Sequence, residues 1–215
     1  MSLITLTDPQ SPISEAYRTL RTNLSFYSLD KPLQTLVVTS PAVSEDNGVS
    51  VANLAVTMAQ SGRNILLIDC DLRRPVLHEF FGLSNENGLT TMILDDVEKP
   101  PLQQTNVENL SLLASGPKPP NPADMLGSKK VDQLIASMTE QFDFVLFNAP
   151  PVVAVTDATI LGAKVDGVLL VITAGKTRRD HAEKAKEMLE QAHVRVVGVA
   201  LTNAPKDSSL GDYYN

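Results

Sequence analysis

Six short runs of apolar residues recur along the chain, with little of the alternation between polar and apolar positions that marks a half-buried strand. They occupy residues 36–38, 65–68, 110–113, 144–147, 167–172 and 194–201. Runs of this kind predict short strands that are buried on both faces. Helical spacing of apolar residues separates several of them, at residues 48–60, 131–140 and 179–192.

The succession of buried strands and helices predicts an α/β fold, with a doubly wound and mostly parallel sheet and helices on both faces. Ahead of the first strand, residues 14–24 predict a further helix, for which Ser14 is the expected N-cap. Prolines at four of the seven positions in residues 116–122 predict a loop there, because proline cannot continue a helix.

The composition limits the possible classes of function. A chain of 215 residues that is 43% hydrophobic can bury one sizeable core, so we expect residues 1–215 to form a single domain. Its 18 basic and 25 acidic residues give a net charge of −7, which argues against non-specific binding of nucleic acid. The single cysteine, Cys70, excludes a disulfide framework within the chain and a cysteine metal cluster, as expected in a reducing compartment.

The segment between the first predicted strand and the next helix has the length of a phosphate-binding loop but lacks its residues. Such a loop, G-x-x-x-x-G-K-[ST], holds phosphates with backbone N–H groups and a lysine, and holds Mg²⁺ with a hydroxyl group. The glycine positions here hold Ser44 and Asp46, the lysine position holds Asn47 and the hydroxyl position holds Gly48. The pattern therefore predicts a P-loop NTPase-like fold with a degenerate loop.

Two acidic residues follow the second predicted strand. Asp69 and Asp71, in the pattern Asp-x-Asp-x-Arg, fall at the carboxyl edge of the sheet, where doubly wound folds bind ligands. Residues two apart on a strand share a face, so these carboxylates could hold a cation or position a hydroxyl group together. Alternatively, they cap the following turn and pair with Arg73 and Arg74. The segment alone leaves both interpretations open.

A further polar position ends the strand predicted at residues 144–147. Nucleotide hydrolases of this architecture usually carry an aspartate there, whose charge supports Mg²⁺. This chain has Asn148, which can hydrogen-bond a water molecule but brings no charge. Asp157 lies beyond the strand, and we interpret it as a helix cap rather than a ligand.

Several segments follow one another in a specific order. They are residues 11–23, the loop and helix after Thr39-Ser40, the segment Asp69-x-Asp71-x-Arg73-Arg74-Pro75, residues 119–124, Ala149-Pro150-Pro151 and a tail with Tyr213-Tyr214. In combination they resemble the cytoplasmic domain of the bacterial tyrosine kinases that control capsule and exopolysaccharide synthesis. The resemblance covers nearly the whole chain.

The resemblance implies an assembly role for the N-terminal region, residues 1–33. Glu15, Arg18 and Arg21 match the E-x-x-R-x-x-R helix that joins subunits of the family into a ring, and their spacing puts them on one helical face. The alternative is a solvated charged face without a partner. In the tail, residues 205–215, Tyr213 and Tyr214 match the region that the family phosphorylates.

The resemblance also assigns the nucleotide site. Asp69, Asp71 and Arg73 match the second nucleotide motif of the family, with Asp71 as the candidate base for a tyrosine hydroxyl group. At three other positions the chain departs from the family. Asn47 stands where the family places its phosphate lysine, Gly48 where it places its Mg²⁺ hydroxyl, and Asn148 where it places its Mg²⁺-supporting carboxylate.

These departures predict a pseudokinase, inactive or strongly impaired, that regulates or scaffolds polysaccharide synthesis and export. ATP and Mg²⁺ are cofactors of the family, and we expect this chain to bind them weakly or not at all. The expected partners are further copies of the chain or an active relative, together with a membrane adaptor of polysaccharide export. The expected location is the cytoplasm at the inner face of the membrane, reached through a partner or a flanking segment. Two alternatives remain, an active ATP-dependent autokinase with an unusual loop and a ParA- or MinD-like ATPase.

Overall fold

The computed structural model describes residues 2–27, 33–43, 47–97 and 99–204, and within them strands and helices alternate. The strands are β1 (Thr35–Thr39), β2 (Ile65–Asp69), β3 (Gln103–Gln104), β4 (Leu110–Leu113), β5 (Phe144–Asn148), β6 (Gly167–Thr173) and β7 (Val196–Thr202). The helices are α1 (Ile4–Thr7), α2 (Pro12–Tyr27), α3 (Asn47–Ala59), α4 (Leu77–Phe81), α5 (Leu89–Leu94), α6 (Pro122–Gly127), α7 (Lys129–Gln141), α8 (Asp157–Gly162) and α9 (Arg179–Gln191).

The strands form one sheet in the order β3-β4-β2-β5-β1-β6-β7, which confirms the predicted architecture. Every pairing is parallel except that of the short edge strand β3 with β4. Asn148 at the end of β5 is in register with Val38 of β1 on one side and with Asp69 of β2 on the other. The carboxyl ends of the three central strands therefore meet at one edge of the sheet.

Helices cover both faces of the sheet, because successive strand residues point to opposite sides. Val37 belongs to a buried cluster with residues of α5 to α9. Its neighbours Leu36 and Val38 belong to a second buried cluster with residues of α1 to α4. The strand interiors are thus apolar on both faces, as the uninterrupted apolar runs predict.

The N-terminal helix differs in one detail from the prediction. It begins at Pro12, so Ser14 lies inside the first turn and is not the N-cap. Proline is well suited to a first helical turn, because the backbone N–H that it lacks has no partner within the helix there. Ser11 takes the capping role, since its Oγ accepts a hydrogen bond of 3.2 Å from the backbone N–H of Ser14.

Two other features of the chain follow the sequence closely. The proline-rich loop ends where α6 begins, at Pro122, in agreement with the loop predicted there. Among the residues that the structure describes, no helix is both long enough and apolar enough to cross a lipid bilayer.

Candidate functional site

Asp69 ends β2 at the centre of the carboxyl edge and is completely buried. Its Oδ1 accepts hydrogen bonds from the backbone N–H of Asp71 at 3.2 Å and from Nδ2 of Asn148 at 2.9 Å. Its Oδ2 accepts from the backbone N–H groups of Val76 at 2.9 Å and Leu77 at 3.0 Å. Burial raises the pKa of Asp69, and these four hydrogen bonds oppose the rise. The carboxylate therefore ties the strand end to the start of α4.

Asp71 lies just beyond the strand and is only partly buried. One of its oxygens, Oδ1, accepts hydrogen bonds from the backbone N–H groups of Arg73 at 3.3 Å and Arg74 at 3.0 Å. Burial is the main reason that the pKa of Asp71 is raised to about 6, and the nearby carboxylates of Asp69 and Asp157 add to the rise. Both acidic residues thus accept hydrogen bonds from local backbone, as one of the two sequence interpretations predicts, but the ion pair that it expects with Arg73 is formed by Asp157.

The raised pKa of Asp71 predicts a pH-dependent gain of stability in the variant Asp71→Asn. The pKa is about 6 in the folded chain against an ordinary value of 3.8, so the folded state binds the proton more tightly and loses stability as pH rises between these values. With allowance for solvent screening, the loss above pH 6 is about 2 kcal/mol. We expect the variant to raise Tm by about 5 °C near pH 7.5 and far less near pH 4.5.

Thermal unfolding followed by circular dichroism at the two pH values measures this difference. The asparagine keeps an oxygen that can accept both backbone hydrogen bonds, so the comparison isolates the charge. Asp95→Asn, which changes an exposed carboxylate elsewhere, is the matched control. A gain in Tm that is the same at both pH values would contradict the assignment of the effect to Asp71 ionisation.

Arg73 points to a partner that the sequence interpretation did not propose. Its Nε donates to Oδ2 of Asp157 at 2.9 Å and its Nη2 donates to Oδ1 at 3.1 Å. Asp157 is fully buried as the first residue of α8, while Thr156 precedes it as the N-cap residue. The interpretation of Asp157 as the helix cap is therefore wrong in detail. Its side chain joins α8 to the β2–α4 loop through a bidentate ion pair.

Asn47, at the lysine position of the degenerate loop, begins α3 and is buried. Its Nδ2 donates to Oδ1 of Asn148 at 3.1 Å and to the backbone oxygen of Ala149 at 2.8 Å. Asn148 in turn donates from Nδ2 to Asp69. The structure thus brings together three predicted site residues in one chain of side-chain hydrogen bonds, which we call the amide chain Asn47–Asn148–Asp69.

Gly48, at the hydroxyl position, faces a close neighbour. A Cβ atom built on Gly48 would lie 2.8 Å from Cγ1 of Val76, which is closer than real Cβ contacts. A serine or threonine at position 48 therefore requires Val76 to move. The glycine positions of the loop, Ser44 and Asp46, lie outside the described residues, as do Tyr213 and Tyr214 of the tail.

The polar side chains in the described part of the site are bonded to groups of the protein itself. Position 47 offers a neutral amide that is already bonded within the chain, and both oxygens of Asp69 accept hydrogen bonds from the protein itself. Within residues 2–27, 33–43, 47–97 and 99–204, no group of three or more His, Cys, Asp or Glu side chains could hold a metal ion. The arrangement instead resembles a closed polar core between strand ends.

The charged residues predicted for assembly lie on α2 and are partly exposed. Arg18 donates from Nη1 to Oε2 of Glu15 at 2.6 Å and from Nη2 to the backbone oxygen of Pro9. Arg21 donates from Nη1 to the backbone oxygen of Thr57 in α3 at 2.9 Å. All three side chains therefore have partners within the chain, and an assembly role remains a prediction.

The fold and the position of the degenerate loop define a class of protein. A parallel sheet whose first strand leads through this loop into the central helix α3 is the architecture of P-loop NTPases. The sequence model of the ParA family, described as an NUBPL iron-transfer P-loop NTPase, matches residues 47–203. The chain is therefore a P-loop NTPase by fold.

More similar proteins narrow the class to a family. The tyrosine-protein kinase YwqD of Bacillus subtilis is 42% identical over 99% of this chain and 90% of its own length. The kinase domain of the Escherichia coli tyrosine kinase ETK superposes with a TM-score of 0.89 at 30% identity, over 97% of this chain and 82% of that one. The chimerical protein CapA2B2 superposes with a TM-score of 0.90 at 35% identity, over 95% and 90%. The chain belongs to the bacterial tyrosine-protein kinase family.

Proposed function

We propose that this chain is a non-catalytic member of its family, a pseudokinase that regulates or scaffolds the synthesis and export of capsule or exopolysaccharide. The observation that carries the proposal is the amide chain Asn47–Asn148–Asp69, which fills the place of the phosphate lysine and the metal-supporting carboxylate with neutral, internally bonded groups.

The loss of charge at position 47 is large enough to matter. A lysine about 4 Å from a phosphate oxygen contributes about 4 kcal/mol at an effective dielectric constant of 20. If solvent halves this attraction, its absence alone weakens nucleotide binding about 30-fold. Asparagine at position 148 also removes the carboxylate that supports the metal ion in the family. That ion neutralises further charge during phosphoryl transfer.

One observation favours the alternative of an active autokinase. Asp71 has a pKa of about 6 and is only partly buried, and such a carboxylate suits a general base for a tyrosine hydroxyl group. This alternative still lacks a cation at position 47. A ParA-like ATPase lacks the same cation, and the net charge of −7 does not suit binding to DNA.

The proposal predicts that the chain binds Mg-ATP with a Kd weaker than about 10 μM, a value that corresponds to about 6.8 kcal/mol. It also predicts no phosphate on Tyr213 or Tyr214 after incubation with Mg-ATP. Calorimetric titration measures the first and mass spectrometry the second. Phosphate on either tyrosine in the parent, lost in Asp71→Asn, would establish the autokinase instead.

Assembly is the function that we assign to the residues that still match the family. We propose that the chain joins further copies of itself, or an active relative, through α2, and that a membrane adaptor holds the assembly at the inner face of the membrane. The ion pair between Arg18 and Glu15 and the anchoring of Arg21 on α3 hold these side chains in place, which lowers the entropy lost on forming an interface.

The expected result is that Arg18→Ala/Arg21→Ala lowers the mass of the assembly measured by light scattering at matched concentration and low salt. Arginine–carboxylate contacts across an interface are charge-assisted, so removing two of them shifts the equilibrium toward smaller species. Arg178→Ala/Arg179→Ala removes two exposed arginines that have local carboxylate partners and serves as the control. Equal masses for parent and α2 variant would rule out this helix as an interface.

A further inference from the structure

The amide chain Asn47–Asn148–Asp69 joins segments that are far apart in sequence. Asn47 begins α3, Asn148 ends β5 and Asp69 ends β2. Asp69 also holds the first backbone N–H groups of α4 through its Oδ2. The three side chains are 8%, 1% and 0% exposed, so water does not compete for these hydrogen bonds. Four elements around the degenerate loop are therefore fixed by one set of side chains.

The hydrogen-bond donors and acceptors of the amide chain Asn47–Asn148–Asp69 can be arranged in only one orientation. The oxygens of Asp69 receive four N–H groups, which suits an ionised carboxylate that can only accept. Asn148 must then turn its NH₂ group to Asp69 and its oxygen to Asn47. That oxygen requires a donor, which the NH₂ group of Asn47 supplies. A carboxylate at position 148 could not take part, because it would face Asp69 across a hydrogen-bond distance.

The geometry points to a lock in which the neutral side chains of Asn47 and Asn148 replace both the phosphate lysine and the metal ion and hold α3, α4 and the ends of β2 and β5 together in the absence of nucleotide. This inference rests on the proposed function. Two buried carboxylates at this distance need a proton or a cation between them, whereas an asparagine facing a carboxylate needs neither. The protein thus keeps one arrangement of α3, α4 and the ends of β2 and β5 without a nucleotide or a metal ion.

Thermal unfolding of the parent and of Asn148→Asp, each in EDTA and in Mg²⁺, tests the replacement of the cation. We expect the parent Tm to be the same in both, and the Tm of Asn148→Asp in EDTA to fall by about 10 °C and to recover at least half of that loss in Mg²⁺. Asn106→Asp, the same substitution at an exposed bend, is the control for added charge. An unchanged Tm for Asn148→Asp in EDTA, a loss that Mg²⁺ does not reverse, or a parent Tm raised by Mg²⁺ would each overturn the inference.

The variant Asn47→Ala tests whether the lock holds these elements together, and this test does not depend on whether Asn148→Asp folds. Hydrogen exchange is expected to become about tenfold faster in residues 70–77 and 148–152, the segments that the lock joins to α3. Asn53→Ala is the matched control, because Asn53 is buried in the same helix but bonds to Thr5 of α1. Unchanged exchange in Asn47→Ala, or equal changes in both variants, would overturn the lock.

Both experiments use protein without nucleotide, so their outcome is separable from that of the proposed function. Tight binding of Mg-ATP would contradict the proposed function, but it would not change the result of either experiment on the lock in the nucleotide-free protein. Conversely, absence of kinase activity together with unchanged exchange in Asn47→Ala would retain the pseudokinase and remove the lock.

Discussion

Replacing Arg73 with alanine is expected to lower the free energy of unfolding by about 3 kcal/mol. The reason is that the substitution leaves Asp157 without its partner. Asp157 is fully buried, and Arg73 forms a bidentate ion pair with it, with nitrogen–oxygen distances of 2.9 and 3.1 Å. Without the guanidinium group, the carboxylate of Asp157 stays buried without its ion-pair partner, which is strongly destabilising. Urea denaturation followed by fluorescence or circular dichroism measures the change.

Two further variants separate this cause from a general effect of losing an arginine. Asp157→Asn in the Arg73→Ala background removes the uncompensated charge, and we expect it to recover part of the lost stability. Arg179→Ala removes an arginine that is 92% exposed and pairs with Glu183 on the surface, and we expect little change from it. Equal losses for Arg73→Ala and Arg179→Ala would contradict the structural role of the ion pair.

Six of the seven strands in the described residues were predictable because their signal lies within a few neighbouring residues, whereas the two-residue edge strand β3 was not predicted. The run at residues 65–68 contains only large apolar side chains, and the strand observed there, Ile65–Asp69, differs by one residue. The long helix Arg179–Gln191 was likewise predicted to within one residue, since its spacing persists over three turns. In contrast, Leu77–Phe81 and Leu89–Leu94 are too short to establish a helical period and went unpredicted. Their positions depend on tertiary contacts such as the cap that Asp69 gives to α4.

The structure brings the predicted residues Asn47, Asn148 and Asp69 together, but their contacts could not be predicted from the sequence. The sequence shows that Asn47 and Asn148 each replace a charged group, and 101 positions separate them, so nothing local indicates that they bond to each other. The ion pair of Arg73 with Asp157 spans 84 positions in the same way. The sequence does carry one signal for such contacts. Both β2 and β5 were predicted as strands of one parallel sheet, and polar residues that follow adjacent parallel strands meet at the same edge.

Restoring the family residues is expected to raise the affinity for Mg-ATP by about 1,000-fold in the variant Asn47→Lys/Gly48→Ser/Asn148→Asp. The lysine contributes about 2 kcal/mol after solvent halves its attraction to phosphate, and the metal ion held with the new carboxylate contributes a similar amount. In this variant the carboxylate introduced at position 148 faces that of Asp69, so the two need the cation that the parent lock avoids. Titration calorimetry of both proteins with Mg-ATP measures the difference.

The contact at Gly48 makes this prediction more specific. A serine Cβ there would lie 2.8 Å from Cγ1 of Val76, so part of the binding energy is used to displace that side chain. Adding Val76→Ala to the triple variant removes the obstacle, and we expect a further gain in affinity, whereas Val76→Ala alone leaves the weak binding of the parent unchanged. Most of the gain should vanish in EDTA, because the paired carboxylates then repel each other and the phosphates and offset the attraction of the lysine. If the parent binds Mg-ATP as tightly as the triple variant, then asparagine at positions 47 and 148 does not prevent nucleotide binding, and the pseudokinase proposal fails with it.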